Sequence, residues 1–152
     1  MLPERPVWRR LVAPATVLGV AAALIPMTVA GAGAATPVRV YIAGDSTAST
    51  YVSSLAPRAG WGQALPVFLT PRAEAVNVAK SGASSKSFVD LGRLDHIVAL
   101  LRRGDYLLIS FGHNDEKIED PARYTEPSTT YKSYLAQYVD RSRAKGAIPV
   151  LI

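Results

Sequence analysis

Short apolar runs alternate with segments of helical periodicity from Ala35 onward, and this alternation constrains the fold more than any other feature of the chain. Four of the apolar runs are predicted to be strands: Val38 to Ala43, Glu74 to Ala79, Tyr106 to Phe111 and Ile148 to Ile152. Strands that alternate with helices form βαβ units, in which the strands are parallel and helices cover the sheet. The alternation therefore predicts an α/β fold with a central parallel sheet.

Three helices are predicted between these strands. The first begins near Gly62, with Pro66 in its first turn, where a missing N–H costs little. The second is predicted to open with a cap formed by Ser87 and Asp90. The third is predicted around Tyr131 to Val139. The predicted buried residues are Trp61, Ala64, Leu65, Phe68 and Leu69 for the first helix; Leu91, Leu94, Ile97, Val98 and Leu101 for the second; and Tyr131, Tyr134, Leu135, Tyr138 and Val139 for the third. No helix follows the strand at Ile148 to Ile152, so we expect a domain that is incomplete at its carboxyl end, a fragment of a longer domain.

The first 34 residues have the pattern of a signal peptide, and residues 35–152 are expected to form the domain. Three arginines (Arg5, Arg9 and Arg10) precede the apolar stretch Leu11 to Ala30, and small residues follow at positions 32–34. The pattern predicts a secreted protein with no stable membrane partner after cleavage. An uncleaved membrane anchor is the alternative, and the general and twin-arginine export routes both stay open.

Composition excludes several kinds of site. The chain has no cysteine, which rules out thiol catalysis and cysteine-ligated metals. No histidine pair has metal-ligand spacing, so we expect neither a metal nor another cofactor. Without residues 1–34 the chain keeps 14 basic and 11 acidic residues, a net charge of +3 scattered along the sequence. That distribution is not a nucleic-acid footprint, although it would not repel an acidic polysaccharide.

Two polar segments directly follow predicted strands. Gly44-Asp45-Ser46-Thr47 follows the first strand, and Gly112-His113-Asn114-Asp115 follows the third. The carboxyl ends of parallel strands gather at one edge of the sheet, where ligands bind. A serine delivered there can act as a nucleophile, and an asparagine amide can stabilise the oxyanion formed by its attack. Ser46 and Asn114 are therefore candidate site residues, with ordinary turn formation as the alternative for each.

Gly82 lies in a small-residue loop after the second predicted strand, beside the same edge. Glycine lets the backbone approach a substrate closely, so the Gly82 N–H is a candidate oxyanion donor; a flexible serine-rich loop is the alternative. His113 is a weak candidate for the base, because neighbours in an extended segment point in opposite directions. If Asn114 faces the site, His113 faces away from it. His96 lies between apolar positions of a predicted helix and is predicted to be a surface or boundary residue.

Taken together, these blocks resemble the SGNH or GDSL hydrolase superfamily, and in finer detail its rhamnogalacturonan acetylesterase branch. The resemblance spans about Val38 to Ile152. The matching segments are Gly44-Asp45-Ser46-Thr47, Gly60-Trp61-Gly62-Gln63, Asn77-x-Ala79 before Ser81-Gly82, and Phe111-Gly112-His113-Asn114-Asp115.

The resemblance implies a three-layer α/β/α sandwich and ester hydrolysis by a Ser-His-Asp mechanism without a cofactor. Ser46 would attack the acyl carbon, while the N–H groups of Ser46 and Gly82 and the Asn114 amide would hold the oxyanion. The family's carboxyl-terminal Asp-x-x-His block has no matching positions in this sequence. The implied function is deacetylation of plant cell-wall polysaccharide such as rhamnogalacturonan, pectin or xylan. A lipase or acyl-thioesterase of the same superfamily is one alternative, and a non-catalytic carbohydrate-binding protein or unstable truncated product is another.

Overall fold

The computed structural model describes residues 36–152, and within them four parallel strands form one sheet. The strands are β1 (Val38–Gly44), β2 (Ala73–Asn77), β3 (Tyr106–Ser110) and β4 (Ile148–Leu151). The helices are α1 (Trp61–Ala64), α2 (Ser85–Asp90), α3 (Arg93–Leu100) and α4 (Thr130–Ala144), with 3₁₀ turns at Ser53–Leu55 and Leu65–Phe68. Each predicted strand is present within two residues of its expected bounds. The predicted signal peptide, residues 1–34, lies outside the described residues.

The strand order is β2-β1-β3-β4, which puts β1 and β3 in the interior of the sheet. Gly44 at the end of β1 is opposite Ser110 at the end of β3, and Ile42 of β1 is opposite Asn77 at the end of β2. The chain segments that follow these three strands therefore leave the sheet at the same edge.

Helices lie on both faces of this sheet. The connection from β1 to β2 crosses the sheet in one direction, and the later connections cross it in the other. Because crossovers between parallel strands are right-handed, α1 lies on one face and α2, α3 and α4 lie on the opposite face. The predicted three-layer α/β/α arrangement is confirmed.

The main core lies between the sheet and the face carrying α2, α3 and α4. Alternate residues of a strand point to the same face, so β1 contributes Tyr41 and Ala43 to this core and β3 contributes Leu107 and Ile109. Its buried members are Tyr41, Ala43, Ala83, Phe88, Leu94, Ile97, Leu101, Leu107, Ile109, Tyr138 and Ala147. Phe111 joins this core by contacts of its ring with Phe88 and Tyr138, with ring centroids 5.3 Å apart in both pairs. The ring of Phe111 thus anchors the chain immediately before Gly112.

The second predicted helix is two helices, and its cap lies at a different residue. Gly92 has a φ of +70°, a left-handed conformation that ends α2 and lets α3 begin in a new direction. Leu91, expected in the buried stripe, is 67% exposed at this break. The N-cap is Ser84, which forms a capping box with Ser87. The prediction of a Ser87–Asp90 cap was wrong.

The first predicted helix is shorter than expected. One α-helical turn, α1, passes directly into a 3₁₀ turn that contains Pro66. Phe68, expected on the buried stripe, is 79% exposed because the tighter 3₁₀ geometry rotates it away from the sheet. Within residues 36–152 no helix is both long enough and apolar enough to cross a membrane.

Candidate active site

A tight turn after β1 presents Ser46. The Asp45 carboxylate is buried and accepts hydrogen bonds from the Thr47 N–H and hydroxyl, both at 2.8 Å. The Tyr51 hydroxyl donates to the Ser46 carbonyl at 2.7 Å. Asp45 therefore bonds to the backbone of the loop and fixes the turn that carries Ser46. Ser46 itself is half-buried, and within residues 36–152 its N–H donates to no protein acceptor.

The Gly60-Trp61-Gly62-Gln63 segment holds the chain that follows Ser46. The Trp61 N–H donates to the Thr47 carbonyl at 2.9 Å, and the Gln63 side chain accepts from the Tyr51 N–H at 2.9 Å. A Cβ at Gly62 would lie 2.5 Å from the Ala48 carbonyl oxygen. Glycine is needed here because two backbone segments pack directly on each other.

Asn77, at the end of β2, supports the same loop from the other side. Its amide nitrogen donates to the Ala48 carbonyl at 2.8 Å and to the Thr50 hydroxyl at 3.0 Å. Its amide oxygen accepts from the Ala79 N–H at 3.1 Å. The Asn77-x-Ala79 motif therefore joins the loop after β1 to the chain leading to Gly82.

Gly82 occupies the third position of a tight turn. The Ala83 N–H donates to the Lys80 carbonyl at 3.0 Å, and the φ of +80° at Gly82 is the value that a type II turn requires at this position. A Cβ added here would meet nothing within 4 Å, so glycine is needed for conformation, and open space lies in front of it. Within the described residues the Gly82 N–H has no protein acceptor.

The Asn114 side chain connects the turn that carries Ser46 to the turn that carries Gly82. Its side chain is buried, with 2% of the residue exposed. Its amide nitrogen donates to the Ala83 carbonyl at 2.9 Å and makes a longer contact of 3.5 Å with the Asp45 carboxylate. Ser46, Gly82 and Asn114 thus belong to three segments that meet at one side-chain amide.

Asp115 fixes the segment that carries Asn114. Its buried carboxylate accepts from the Ser85 N–H at 3.0 and 3.1 Å, from the Ser85 hydroxyl, and from the Thr125 hydroxyl at 3.0 Å. Ser85 is the first residue of α2, where an acidic side chain satisfies a free backbone donor. Asp115 belongs to the Gly112-His113-Asn114-Asp115 motif, but this role was not predicted from the sequence.

Arg123 also contacts Asn114, and nothing in the sequence indicated it as a site residue. It lies in the loop between β3 and α4, and its guanidinium donates to the Asn114 amide oxygen at 3.3 Å. The same guanidinium pairs with Asp120. That hydrogen bond lowers the pKa of the Asp120 carboxyl. No periodicity marks this loop, so no pattern in the sequence indicates the contact.

The two histidines lie outside this arrangement. The side chain of His113 is 64% exposed and lies 3.5 Å from Glu116, while neighbouring Asn114 is buried. The expectation that the two neighbours face opposite ways is confirmed. His96 is exposed on α3. In residues 36–152 no three His, Cys, Asp or Glu side chains are grouped so as to hold a metal ion.

Two surface grooves border the blocks. The larger, about 300 Å³ in volume, lies beside Gly82, and its lining includes Lys80, Leu91 and the Asp120–Arg123 pair. The smaller, about 210 Å³, lies beside Gly112, and its lining includes Pro127 and Tyr131. The walls of both grooves are mostly apolar, and the grooves flank the turns that carry Gly82 and Asn114.

Comparison with known proteins gives consistent matches. YesY of Bacillus subtilis, named a probable rhamnogalacturonan acetylesterase, is 48% identical over 113 residues, covering 74% of this chain and 52% of the relative. RhgT of the same species, named a rhamnogalacturonan acetylesterase, is 45% identical over 116 residues, covering 76% of this chain and 48% of the relative. The chain therefore spans about half the length of these curated relatives.

A solved structure and a family model agree with these matches. The crystal structure of YxiM from Bacillus subtilis superposes with a TM-score of 0.69 at 29% identity, covering 76% of this chain and 32% of that one. The model of the GDSL-like lipase/acylhydrolase family matches residues 42–152. That match runs from the end of β1 through every segment that meets at Asn114, and the chain belongs to the GDSL-like lipase/acylhydrolase family.

Proposed function

We propose that this protein is an exported serine esterase that removes acetyl groups from acidic plant cell-wall polysaccharide, with Ser46 as the nucleophile. The observation that carries the proposal is the Asn114 amide, which bonds to Ala83 beside Gly82 and reaches Asp45 beside Ser46. This amide connects the segments that carry the three candidate oxyanion donors: the Ser46 N–H, the Gly82 N–H and the Asn114 amide itself.

The three candidate donors differ in whether they already donate a hydrogen bond within the protein. The N–H groups of Ser46 and Gly82 have no protein acceptor among the described residues. The Asn114 amide nitrogen keeps one firm hydrogen bond to Ala83, while its contact with Asp45 is long at 3.5 Å. Such a weak contact can give way to an oxyanion, which accepts a shorter, charge-assisted bond.

In the proposed reaction the Ser46 Oγ forms a bond to the acetyl carbonyl carbon as its proton passes to a base. The carbonyl electron pair moves to oxygen, and the oxyanion accepts hydrogen bonds from Ser46, Gly82 and Asn114. Collapse breaks the bond to the sugar oxygen, which leaves as a hydroxyl, and water then releases acetate from the acyl-serine. In the resemblance the base is the histidine of the Asp-x-x-His block, for which residues 1–152 offer no matching position.

Two observations support an acidic polysaccharide as substrate. The relatives YesY and RhgT are named for rhamnogalacturonan, a polymer that contains uronic acid. In addition, the groove beside Gly82 is lined by Lys80, which is exposed and forms no ion pair with an acidic side chain among the described residues. A lysine next to the acyl site can attract the carboxylate of a neighbouring uronic acid.

The test uses the protein expressed from its complete coding sequence. We expect acetate release from acetylated rhamnogalacturonan, and a loss of at least about 1,000-fold in kcat for Ser46→Ala, since a serine enzyme without its nucleophile keeps only binding and oxyanion stabilisation. Ser53→Ala, at an exposed serine of the same loop, is the matched control and should leave the rate unchanged. Acetate release that is absent, or is the same in Ser46→Ala, would defeat the proposal.

A lipase or acyl-thioesterase is the second candidate, favoured by the mostly apolar groove beside Gly112, whose lining includes Pro127 and Tyr131. A long acyl chain needs an apolar groove of this kind. Rates on acetyl and octanoyl nitrophenyl esters separate the two functions: preference for acetyl supports the first candidate, and preference for octanoyl supports the second. A non-catalytic protein would leave Ser46 unlabelled by a fluorophosphonate probe.

Export is proposed from the amino-terminal pattern of arginines, apolar stretch and small residues. Mass spectrometry of protein collected from culture medium should find an amino terminus at Ala35. Protein retained in the membrane fraction with its first 34 residues intact would contradict cleavage.

A further inference from the structure

Arg123 contacts Asn114 from the side opposite its two acceptors. Its Nη1 donates to the Asn114 Oδ1 at 3.3 Å, while the Asn114 Nδ2 faces Ala83 and Asp45. A guanidinium has donors only, so it can bond to the amide oxygen and never to the amide nitrogen. This contact therefore favours the one amide orientation in which Nδ2 is available to an oxyanion.

The guanidinium is itself held in place. Asp120 binds its Nε, and the Arg123 N–H donates to the Asp120 carbonyl at 3.0 Å. The Ala122 N–H donates to the Asp120 carboxylate at 3.1 Å, which fixes the carboxylate in turn. The Arg123 side chain is 30% exposed, so water screens its charge only in part.

We propose that Arg123 is a positioning residue of the oxyanion site: it orients the Asn114 amide and strengthens its donor. Hydrogen bonds in a chain polarise one another, so a cation bound to Oδ1 makes the Nδ2 protons better donors. The inference rests on the proposed function, in which Asn114 holds the oxyanion. It assigns a role to a residue that lies outside every motif quoted for the family.

The first test measures catalysis in the protein expressed from its complete coding sequence. Arg123→Ala should lower kcat on nitrophenyl acetate about 10-fold with little change in KM, a part of the 100- to 1,000-fold that loss of an oxyanion donor costs. In an Asn114→Ala background the same substitution should have almost no further effect. Independent, additive losses in the double variant would overturn the proposal.

The controls separate positioning from general stability. Arg141→Ala removes another arginine that is paired with an aspartate, in an ion pair between Arg141 of α4 and Asp95 of α3, and should leave kcat unchanged. Arg123→Lys, which can donate a single hydrogen bond to the amide oxygen, should recover part of the rate. A kcat equal in Arg123→Lys and Arg123→Ala, or a kcat lowered as much by Arg141→Ala, would contradict a specific role.

A second test needs no activity. Nuclear magnetic resonance can follow the side-chain NH₂ group of Asn114, which should exchange slowly with water in the unmodified protein because the amide is buried and bonded. Arg123→Ala should shift its resonances and speed its exchange by about 10-fold, the factor expected when a hydrogen bond of average strength is lost. An Asn114 side chain that is unchanged in Arg123→Ala overturns this inference, whereas failure of Ser46→Ala to alter acetate release defeats the proposed function instead.

Discussion

Removal of the Asp115 carboxylate should destabilise the protein strongly. Asp115 is 4% exposed and accepts from the Ser85 N–H, the Ser85 hydroxyl and the Thr125 hydroxyl. In Asp115→Ala these donors lose their partner, and the hydroxyl groups of Ser85 and Thr125 stay buried. A buried polar group without a partner costs about 1–3 kcal/mol. Since the losses are not fully additive, we expect the free energy of unfolding to fall by about 3–5 kcal/mol.

Urea unfolding followed by circular dichroism measures this free energy. Asp115→Asn keeps the shape and one acceptor oxygen, so its loss should be smaller, about 1–3 kcal/mol. Asp95→Ala is the matched control, because that carboxylate is exposed and its pairing with Arg141 is worth about 1 kcal/mol or less. Asp115→Ala within 1 kcal/mol of the unmodified protein would refute the role given to this network.

A double-mutant cycle measures how much of this stabilisation depends on the hydrogen bonds between Asp115 and Ser85. Ser85→Ala removes one of the two hydroxyl donors, so Asp115→Ala should cost less in that background than in the unmodified protein. The coupling energy should be on the order of 1 kcal/mol or more. A coupling energy near zero would show that the two side chains contribute independently and would contradict the geometry.

Further outcomes are expected for three residues. Tyr138→Phe removes a buried hydroxyl donor and should cost about 1 kcal/mol, against almost nothing for the more exposed Tyr134→Phe. Burial raises the pKa of Tyr138 well above its ordinary value of 10.0, so its contribution to stability, full below pH 10, should fall as the pH rises further; an equally steep alkaline loss in Tyr138→Phe would contradict this. Gly62→Ala should destabilise by about 1–3 kcal/mol by overpacking, and a neutral or stabilising effect on urea unfolding would contradict the close backbone contact. Lys80→Gln should raise KM for an acidic polysaccharide about 2- to 5-fold and leave nitrophenyl acetate unaffected; an equal change in Lys132→Gln, at another exposed lysine, would argue against a local effect.

The interior strands could be predicted because each contains a continuous apolar run, Val40 to Ala43 in β1 and Tyr106 to Ile109 in β3, and burial on both faces of a parallel sheet requires such runs. The break between α2 and α3 at Gly92 could not be predicted, because Leu91 continues the apolar spacing of the second predicted helix although it is exposed in the structure. Ser87 and Asp90 have the residue types and the spacing of a cap. The capping box is completed instead by Ser84, since its side chain can reach the third backbone N–H of α2.

The candidate site also has parts that could be predicted from the sequence and parts that could not. Ser46, Gly82 and Asn114 follow three different strands, and parallel topology was sufficient to predict that their segments meet. The supporting contacts could not be predicted, because they depend on pairs far apart in the sequence. Asp115 bonds to Ser85 across 30 residues, and Arg123 reaches Asn114 from a loop with no periodicity. Such contacts depend on the loop path and leave no local pattern.

The central claim is that the oxyanion of an acyl group attached to Ser46 can accept hydrogen bonds from both the Gly82 N–H and the Asn114 amide. A crystal structure of the protein treated with a small fluorophosphonate tests it directly, because the phosphoryl oxygen of the adduct occupies the place of the oxyanion. We predict that this oxygen lies about 2.7–3.1 Å from the Gly82 nitrogen and from the Asn114 Nδ2, with the Arg123 guanidinium still on the Asn114 Oδ1. An adduct whose oxygen points into solvent, or a serine other than Ser46 carrying the phosphonate, would contradict the account.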